Sequence, residues 1–332
     1  MSRLGIIANP ASGKDIRRLV SFATVIDNNE KVNIVKRIVL AAQAFGVEEV
    51  HFMPDTFQMG RAVKEELTQH GVLTASIDVL EMYVEGSAAD STLAAQRLEE
   101  MGMGCIVVLG GDGTARAVAK GITTTPLIAL STGTNNVYPR MIEGTVAGIA
   151  AGALTQLPDP YAACIHDKRI EVWLNGEMVD LALIDAVLSD DTYVGARAIW
   201  DSSRIKTIVV SRCHPASIGF SAVAGSVQIV RDTDPGGFAI DLDPKGRKIK
   251  AAIAAGVIEE IGVAGERRLD EGEWLKLSIG HRAMVALDGE REIKVKEGDE
   301  LALRVCRNGP WRVQPEEAIA MMMALPGRPA GL

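Results

Sequence analysis

Aromatic side chains are scarce: 6 Phe, 4 Tyr and 4 Trp make up 4% of the 332 residues, so the core has to be built from Ala, Val, Ile and Leu. The 4 cysteines, Cys105, Cys164, Cys213 and Cys306, are far apart and form no C-x-x-C pair. That spacing excludes the common zinc patterns and a dense disulfide framework. Cys105 and Cys306 sit in apolar runs, where buried free thiols are expected. Long apolar runs are also missing. The longest, residues 145–154, is interrupted by glycines and falls well short of the ~18 needed to span a bilayer. The opening stretch MSRLGIIANPASGKD has too short an apolar segment for a signal peptide. Positive charge is in deficit, with 35 Lys and Arg against 43 Asp and Glu, a net −8. A nucleic-acid coat needs clustered Lys and Arg, so that partner class is excluded. A soluble, cytoplasmic, homo-oligomeric protein with no membrane partner is the expectation.

What is present is a change of pattern near residue 157. Before it, apolar runs at 3–8, 50–53, 75–80, 105–109 and 127–130 alternate with helical periodicity at 33–45, 59–70, 87–100, 115–120 and 141–154. Ser87 with Asp90 reads as a capping box. The run C-I-V-V-L, bounded by glycines, suits a central parallel strand covered on both faces. Such β-α units predict an open, mostly parallel sheet. After Leu157-Pro158-Asp159-Pro160, alternation with period two takes over. Asn175-Gly176 and Asp288-Gly289 each lie between strand-like runs as hairpin cues, and Asp234-Pro235-Gly236-Gly237 is a further turn. At about 150 residues per domain the length predicts two domains. They are an α/β domain over 1–157 and a mainly antiparallel β-sandwich over 158–314, with a helical C-terminal segment, 315–332, opened by Pro315.

Three glycine-bearing loops carry the chemistry, each directly after a strand: Asn9-Pro10-Ala11-Ser12-Gly13-Lys14, Gly110-Gly111-Asp112-Gly113-Thr114 and Ser131-Thr132-Gly133-Thr134-Asn135-Asn136. Ligands of an open α/β sheet bind outside the carboxyl ends of its strands, so the loops are expected to converge. A helix start there favours an anion such as phosphate. Gly110, Gly111 and Gly113 read as letting the backbone turn sharply and approach a phosphate without a Cβ in the way. Asp112 would repel a phosphate. It suits a base for an attacking hydroxyl or an anchor for magnesium waters; the plain alternative is a turn-stabilising aspartate. A Walker loop is excluded because Asp15 follows Gly13-Lys14 and Ala8 stands where the first glycine belongs. A dinucleotide fingerprint fails because Arg116 occupies the last glycine position.

N-P-x-S-G after the first strand, G-G-D-G-T after the fourth, G-T-x-N after the fifth and the later Asp288-Gly289-Glu290 turn resemble, in order and spacing, the superfamily of NAD kinases and diacylglycerol or sphingosine kinases. The likeness covers nearly the whole chain. The third loop, S-T-G-T-N-N-V-Y-P, and the segment R-A-I-W-D at 197–201 resemble its acetoin-catabolism protein X branch. The resemblance implies an ATP site between the α/β domain and the sandwich, with the C-terminal segment returning to the first domain. It implies Mg2+ held largely through ATP phosphates, with no dedicated protein metal site. By the same resemblance Asn9, Ser12, Gly13, Gly110, Gly111, Gly113 and Thr114 hold nucleotide phosphates. Thr132, Gly133, Thr134 and Asn135 contact ribose or base, and Asp112 and Glu290 compete for the role of base.

The acceptor side departs from the pattern. NAD kinases carry an acid where this chain has Asn136, and their S-T-P-T-G-S-T-A-Y stretch corresponds only weakly to residues 215–222. A further acidic motif survives as Ile184-Asp185-Ala186. Asn136 and Asp185 are therefore acceptor-side candidates. Trp200 and Asp201, with Arg204, suit a nucleotide or sugar acceptor, or equally a solvent-facing helix end. His214 suits the acceptor pocket or an exposed loop, and Lys14 a phosphate or solvent. His51, His70 and His166 lack partners at ligand spacing and read as surface residues; residues 321–323 read as core-filling methionines. Three functions fit: an ATP-dependent kinase for an alcohol of a soluble metabolite, NAD first; a lipid kinase, against which the missing basic amphipathic helix counts; and a nucleotide-binding regulator.

Overall fold

Arg3–Ala8 is buried at every residue but the first, as a strand covered on both faces must be. The computed structural model describes residues 2–12, 24, 26–190 and 204–326. From this first strand, β1, the chain alternates through α1 (Asn28–Ala44), β2 (Glu49–Phe52), α2 (Met59–Gln69), β3 (Ser76–Val79), α3 (Ala88–Glu100), β4 (Cys105–Gly110), α4 (Asp112–Ala119), β5 (Leu127–Ser131) and α5 (Gly144–Leu154). These strands pair in parallel in the order β3-β2-β1-β4-β5. Successive side chains alternate between faces. Leu4 and Ile6 join a core with α1 and α5, while Ile7, Ile106 and Val108 join another with α3 and α4. Strand order reverses between β1 and β4, and such a switch point is where open α/β sheets bind ligands.

Helix boundaries differ from the sequence pattern in ways that bear on the site. The Ser87–Asp90 capping box is present. Helix α1 begins at Asn28, capped by Asp27, because its polar first turn hid its start although Lys31 there is only 1% exposed. Helix α4 begins at Asp112 with Gly111 as N-cap, so the second half of the G-G-D-G motif, Asp112-Gly113, is already helix. Helix α5 starts at Gly144, and the glycines that interrupt its apolar run form a packing stripe. A Cβ on Gly148 would fall 2.3 Å from the Ile38 carbonyl of α1. His51, read as a surface residue, is buried on β2.

After a 3-10 turn at Pro160–Ala163 come β6 (Cys164–His166), β7 (Arg169–Leu174), β8 (Glu177–Ala182), β9 (Asp185–Ser189), β10 (Ile205–Val210), α6 (Phe220–Gly225), β11 (Gly237–Ala254), β12 (Val257–Leu269), β13 (Trp274–Ser278), β14 (Ala283–Leu287), β15 (Glu290–Val295), β16 (Glu300–Cys306), β17 (Trp311–Val313) and α7 (Pro315–Met323). Two antiparallel sheets, β12-β11-β10-β9-β14-β15 and β13-β16-β7-β8, face each other across Ile170, Val172, Val209, Val285, Leu303 and Val305. Asn175-Gly176 and Asp288-Gly289 close their hairpins with positive φ at both residues, as a type I′ turn requires. The first sheet continues past residue 157. β17 inserts between β5 and β6, and Ala318 and Met322 of α7 enter the first domain's core.

Candidate phosphoryl-transfer site

The first two loops meet through side chains. Asn9 makes an Asx turn with the Ala11 N–H at 2.8 Å, and its amide donates to Thr114 Oγ1 at 3.0 Å. Ser12 Oγ donates to the Asn9 carbonyl at 2.7 Å and lies 3.1 Å from the Thr132 hydroxyl of the third loop. The loops after β1, β4 and β5 are thus tied into one surface. The third loop is also braced internally. Asn136 Nδ2 donates to Ser131 Oγ at 2.7 Å and to the Gly133 carbonyl at 3.3 Å, and Ser131 Oγ donates to that carbonyl at 2.6 Å. Thr134 Oγ1 accepts from the Thr24 N–H at 3.1 Å. Asn135 differs: its Oδ1 is buried with no hydrogen-bond partner among the described residues.

Asp112 joins the second loop to the third. Its Oδ1 accepts the Val137 N–H at 3.0 Å and the Tyr138 N–H at 2.8 Å, and Oδ2 lies 3.1 Å from the Val137 N–H. The carboxylate therefore works as a clamp on backbone donors. The glycines around it correct the sequence reading. Gly110, Gly111 and Gly113 have no positive φ. A Cβ on Gly110 would meet Thr114 at 2.5 Å, one on Gly111 would meet Asn136 Oδ1 at 2.9 Å, and one on Gly113 would meet Glu290 Oε1 at 2.6 Å. Their missing Cβ atoms admit three partner side chains rather than a sharp turn.

The third of those partners comes from the other domain. Glu290 opens β15 directly after the Asp288-Gly289 turn, and its carboxylate lies against the first turn of α4. Arg116, 4% exposed on α4, ties the two together: its guanidinium lies 3.3 Å from Asp180, 4.0 Å from Asp288 and 3.8 Å from Glu290. Asp180 of β8 also receives Lys120 at 2.9 Å. Asp288 accepts the N–H groups of Leu183, Ile184 and Asp185 at 2.9, 2.8 and 3.2 Å. Burial pushes its carboxyl above the ordinary carboxylate range despite these donors and Arg116. Asp185 sits beside it, 5% exposed on β9. Arg116 thus occupies the position that ruled out a dinucleotide fingerprint.

Tyr138, 2% exposed, carries the third loop to a buried ion network. The guanidinium groups of Arg212 and Arg312 lie 5.3 and 6.0 Å from its ring centroid. Asp167 accepts from Arg212 at 2.9 Å and from Arg312 at 2.8 and 3.2 Å. Arg312 reaches Asp232 at 2.6 Å. Burial pushes Asp167 up, but the two guanidinium groups outweigh it and hold the carboxyl below its ordinary value. This network joins β17 of the first sheet to the strand-end loops of the sandwich.

Residues 4–157 match the family model for the ATP-NAD kinase N-terminal domain, and residues 168–308 match that for the acetoin catabolism protein X C-terminal domain. The acetoin catabolism protein X of Cupriavidus necator is 37% identical over 313 residues, 90% of this chain and 86% of that protein. The chain belongs to the acetoin catabolism protein X family. Among solved structures, two provisionally assigned as a diacylglycerol kinase of Bacillus anthracis str. Sterne match 94% of this chain. They cover 96% and 98% of their own chains, with TM-scores of 0.46 and 0.43 and identities of 12% and 11%.

In this family member the sequence-predicted residues divide into three groups. Asn9, Ser12, Gly110, Gly111, Asp112, Gly113, Thr114, Thr132, Gly133, Thr134, Asn135, Asn136 and Glu290 lie on the loops gathered at the switch point, with Asp185 beside Asp288. Asn136 is turned inward, its amide spent on Ser131 and Gly133, because the loop needs a donor there. Gly13, Lys14, Trp200 and Asp201 lie outside the described residues, and His214 is exposed. Sequence reasoning missed Arg116, whose mismatch with the fingerprint was a signal misread as a mere exclusion.

Proposed function

We propose that this protein is an ATP-dependent kinase that transfers a phosphoryl group to an alcohol of a soluble metabolite, with the 2′-hydroxyl of NAD as first acceptor. One observation carries the reading: Glu290, delivered by the sandwich, meets Gly113 in the first turn of α4, beside all three loops. No side chain caps α4, as at helix starts that receive an anion. The orphaned Asn135 Oδ1 fits a donor such as a ribose hydroxyl or an adenine amine. A crevice of about 340 Å3 between Ile34, Leu109, Leu130, Thr132 and Ile142 flanks the third loop, and its apolar floor suits the nucleoside.

Magnesium fits the same place. The ion would be held largely through the ATP phosphates, with Asp112 as a hard oxygen donor beside the cradle, and it would supply charge neutralisation there. Glu290 is the better base. It is about a third exposed, whereas Asp112 would have to share oxygens already engaged by Val137 and Tyr138. The family ties the protein to acetoin catabolism through the name its Cupriavidus necator relative carries.

Incubation with Mg-ATP and NAD, with a parallel arm containing diacylglycerol vesicles, tests the reading. Formation of NADP supports it. Phosphatidic acid without NADP assigns a lipid acceptor instead, and neither product while ATP binds removes NAD from the list of acceptors.

A further inference from the structure

Arg116 and Lys120 stand one helical turn apart on α4, on the face that meets the sandwich. Lys120 reaches Asp180 at 2.9 Å, and the Arg116 guanidinium lies 3.3 Å from Asp180, 4.0 Å from Asp288 and 3.8 Å from Glu290. Asp180 belongs to the four-stranded sheet, whereas Asp288 and Glu290 flank the turn that joins two strands of the six-stranded sheet. One buried guanidinium therefore gathers both sheets of the sandwich onto the helix whose first turn lies among the three loops. The same helix meets Glu290 at a second point. Gly113, three residues before Arg116, lacks the Cβ that would stand 2.6 Å from Glu290 Oε1. Helix α4 thus fixes Glu290 by a gap at Gly113 and by a charge at Arg116.

Three carboxylates drawn around one point repel one another unless a cation lies between them. Burial pushes the Asp288 carboxyl up, while Arg116 and the N–H groups of Leu183, Ile184 and Asp185 act against it. An ionised Asp288 accepts those three N–H groups, and they shape the turn that carries Glu290. We infer that Arg116 is a positioning residue for phosphoryl transfer: it acts through Glu290, aligning that carboxylate with the donor loops, and does not itself hold the nucleotide. The inference rests on the reading of Glu290 as base given above. In that reaction the Glu290 carboxylate takes the proton of the acceptor hydroxyl as the hydroxyl oxygen bonds to the γ-phosphorus. The bond from that phosphorus to the leaving ADP oxygen breaks. A misplacement of about 1 Å at such a step costs up to about 10²-fold in rate.

The test measures kcat, KM and calorimetric ATP affinity, with Mg2+ and the acceptor that native protein phosphorylates. It compares native protein, Arg116→Met, Arg116→Lys, Glu290→Gln and the double variant Arg116→Met with Glu290→Gln. Arg116→Met should lower kcat by about 10–10²-fold with ATP affinity nearly kept, and Arg116→Lys, which keeps the charge, should restore part of the loss. The double variant should turn over no more slowly than Glu290→Gln alone, because a residue that acts through another adds nothing once that one is gone. Losses that multiply in the double variant would overturn the inference, as would ATP affinity that falls in step with kcat. Where Arg116→Met does not fold, Arg116→Lys and Asp180→Asn, which loosens the same joint, carry the same comparison with Glu290→Gln. If native protein phosphorylates no acceptor, it is the kinase reading that fails, and amide exchange then decides the role of Arg116. The N–H groups of Leu183, Ile184 and Asp185 should exchange faster in the Arg116 variants, while those of Val137 and Tyr138, held by Asp112, keep their protection. That pattern would uphold the hold of Arg116 on the Glu290 turn, and unchanged exchange at residues 183–185 would overturn it.

Discussion

At the scale of single residues, the site is built by close approach. Gly111 leaves room for Asn136 Oδ1 at 2.9 Å from where its Cβ would stand, and Asn136 cannot retreat without releasing Ser131 and Gly133. Gly111→Ala should therefore cost about 1–3 kcal/mol, the range for overpacking. Combining it with Asn136→Ala should cost less than the sum of the two single changes, since neighbours in contact couple. Urea denaturation of the four proteins measures this, and simple additivity would show that the two side chains do not meet. Asp112→Asn keeps the volume but presents an N–H2 toward the Val137 and Tyr138 donors in one of its two orientations. It should lower both stability and ATP affinity, unlike a variant that removes only a proton acceptor. The loops and Asp112 were legible because motif residues recur at fixed offsets from strands. The partners of the glycines were not, because Thr114, Asn136 and Glu290 lie on three different segments.

At the scale of elements, turn chemistry and periodicity read through to the fold. Asn175-Gly176 and Asp288-Gly289 adopt the left-handed angles their hairpins need. The strands β6 and β17 were not legible, since three residues give no period, and they join the first sheet through long-range pairing alone. What secures β17 is the Asp167 network. Asp167→Asn would leave Arg212 buried without the carboxylate it donates to and Arg312 with Asp232 alone, and should cost about 3–5 kcal/mol in urea denaturation; a loss under about 1 kcal/mol would show the network to be dispensable. The four-stranded sheet carries a second buried acid, Glu171. Burial pushes its carboxyl up, but hydrogen bonds from Arg169, Asn308, Arg304 and Trp173 outweigh this and hold it at about 2. The folded value lies below the ordinary 4.5, so its stabilising contribution is complete above that value and is lost as pH falls toward 2. Glu171→Gln should flatten the loss of stability between about pH 4.5 and pH 2. An unchanged slope would assign the acid sensitivity elsewhere.

At the scale of the whole molecule, the two domains share one site. The α/β domain supplies three loops at its switch point, and the sandwich supplies Glu290 through a hairpin turn locked by Arg116. Binding that favours the folded state raises stability by about 2.7 kcal/mol at a hundredfold excess over Kd, so ATP should raise the melting temperature of the native protein. The measurement that bears most directly on a shared site is a pair of readings on Glu290→Gln: its ATP-induced thermal shift and its rate of phosphoryl transfer to the acceptor. The shift should persist, because the loops proposed to hold the nucleotide are intact, while turnover should fall by roughly 10²–10⁴-fold with the proposed proton acceptor gone. Turnover at the native rate in Glu290→Gln would contradict the account, and would return the chemistry to the α/β domain alone.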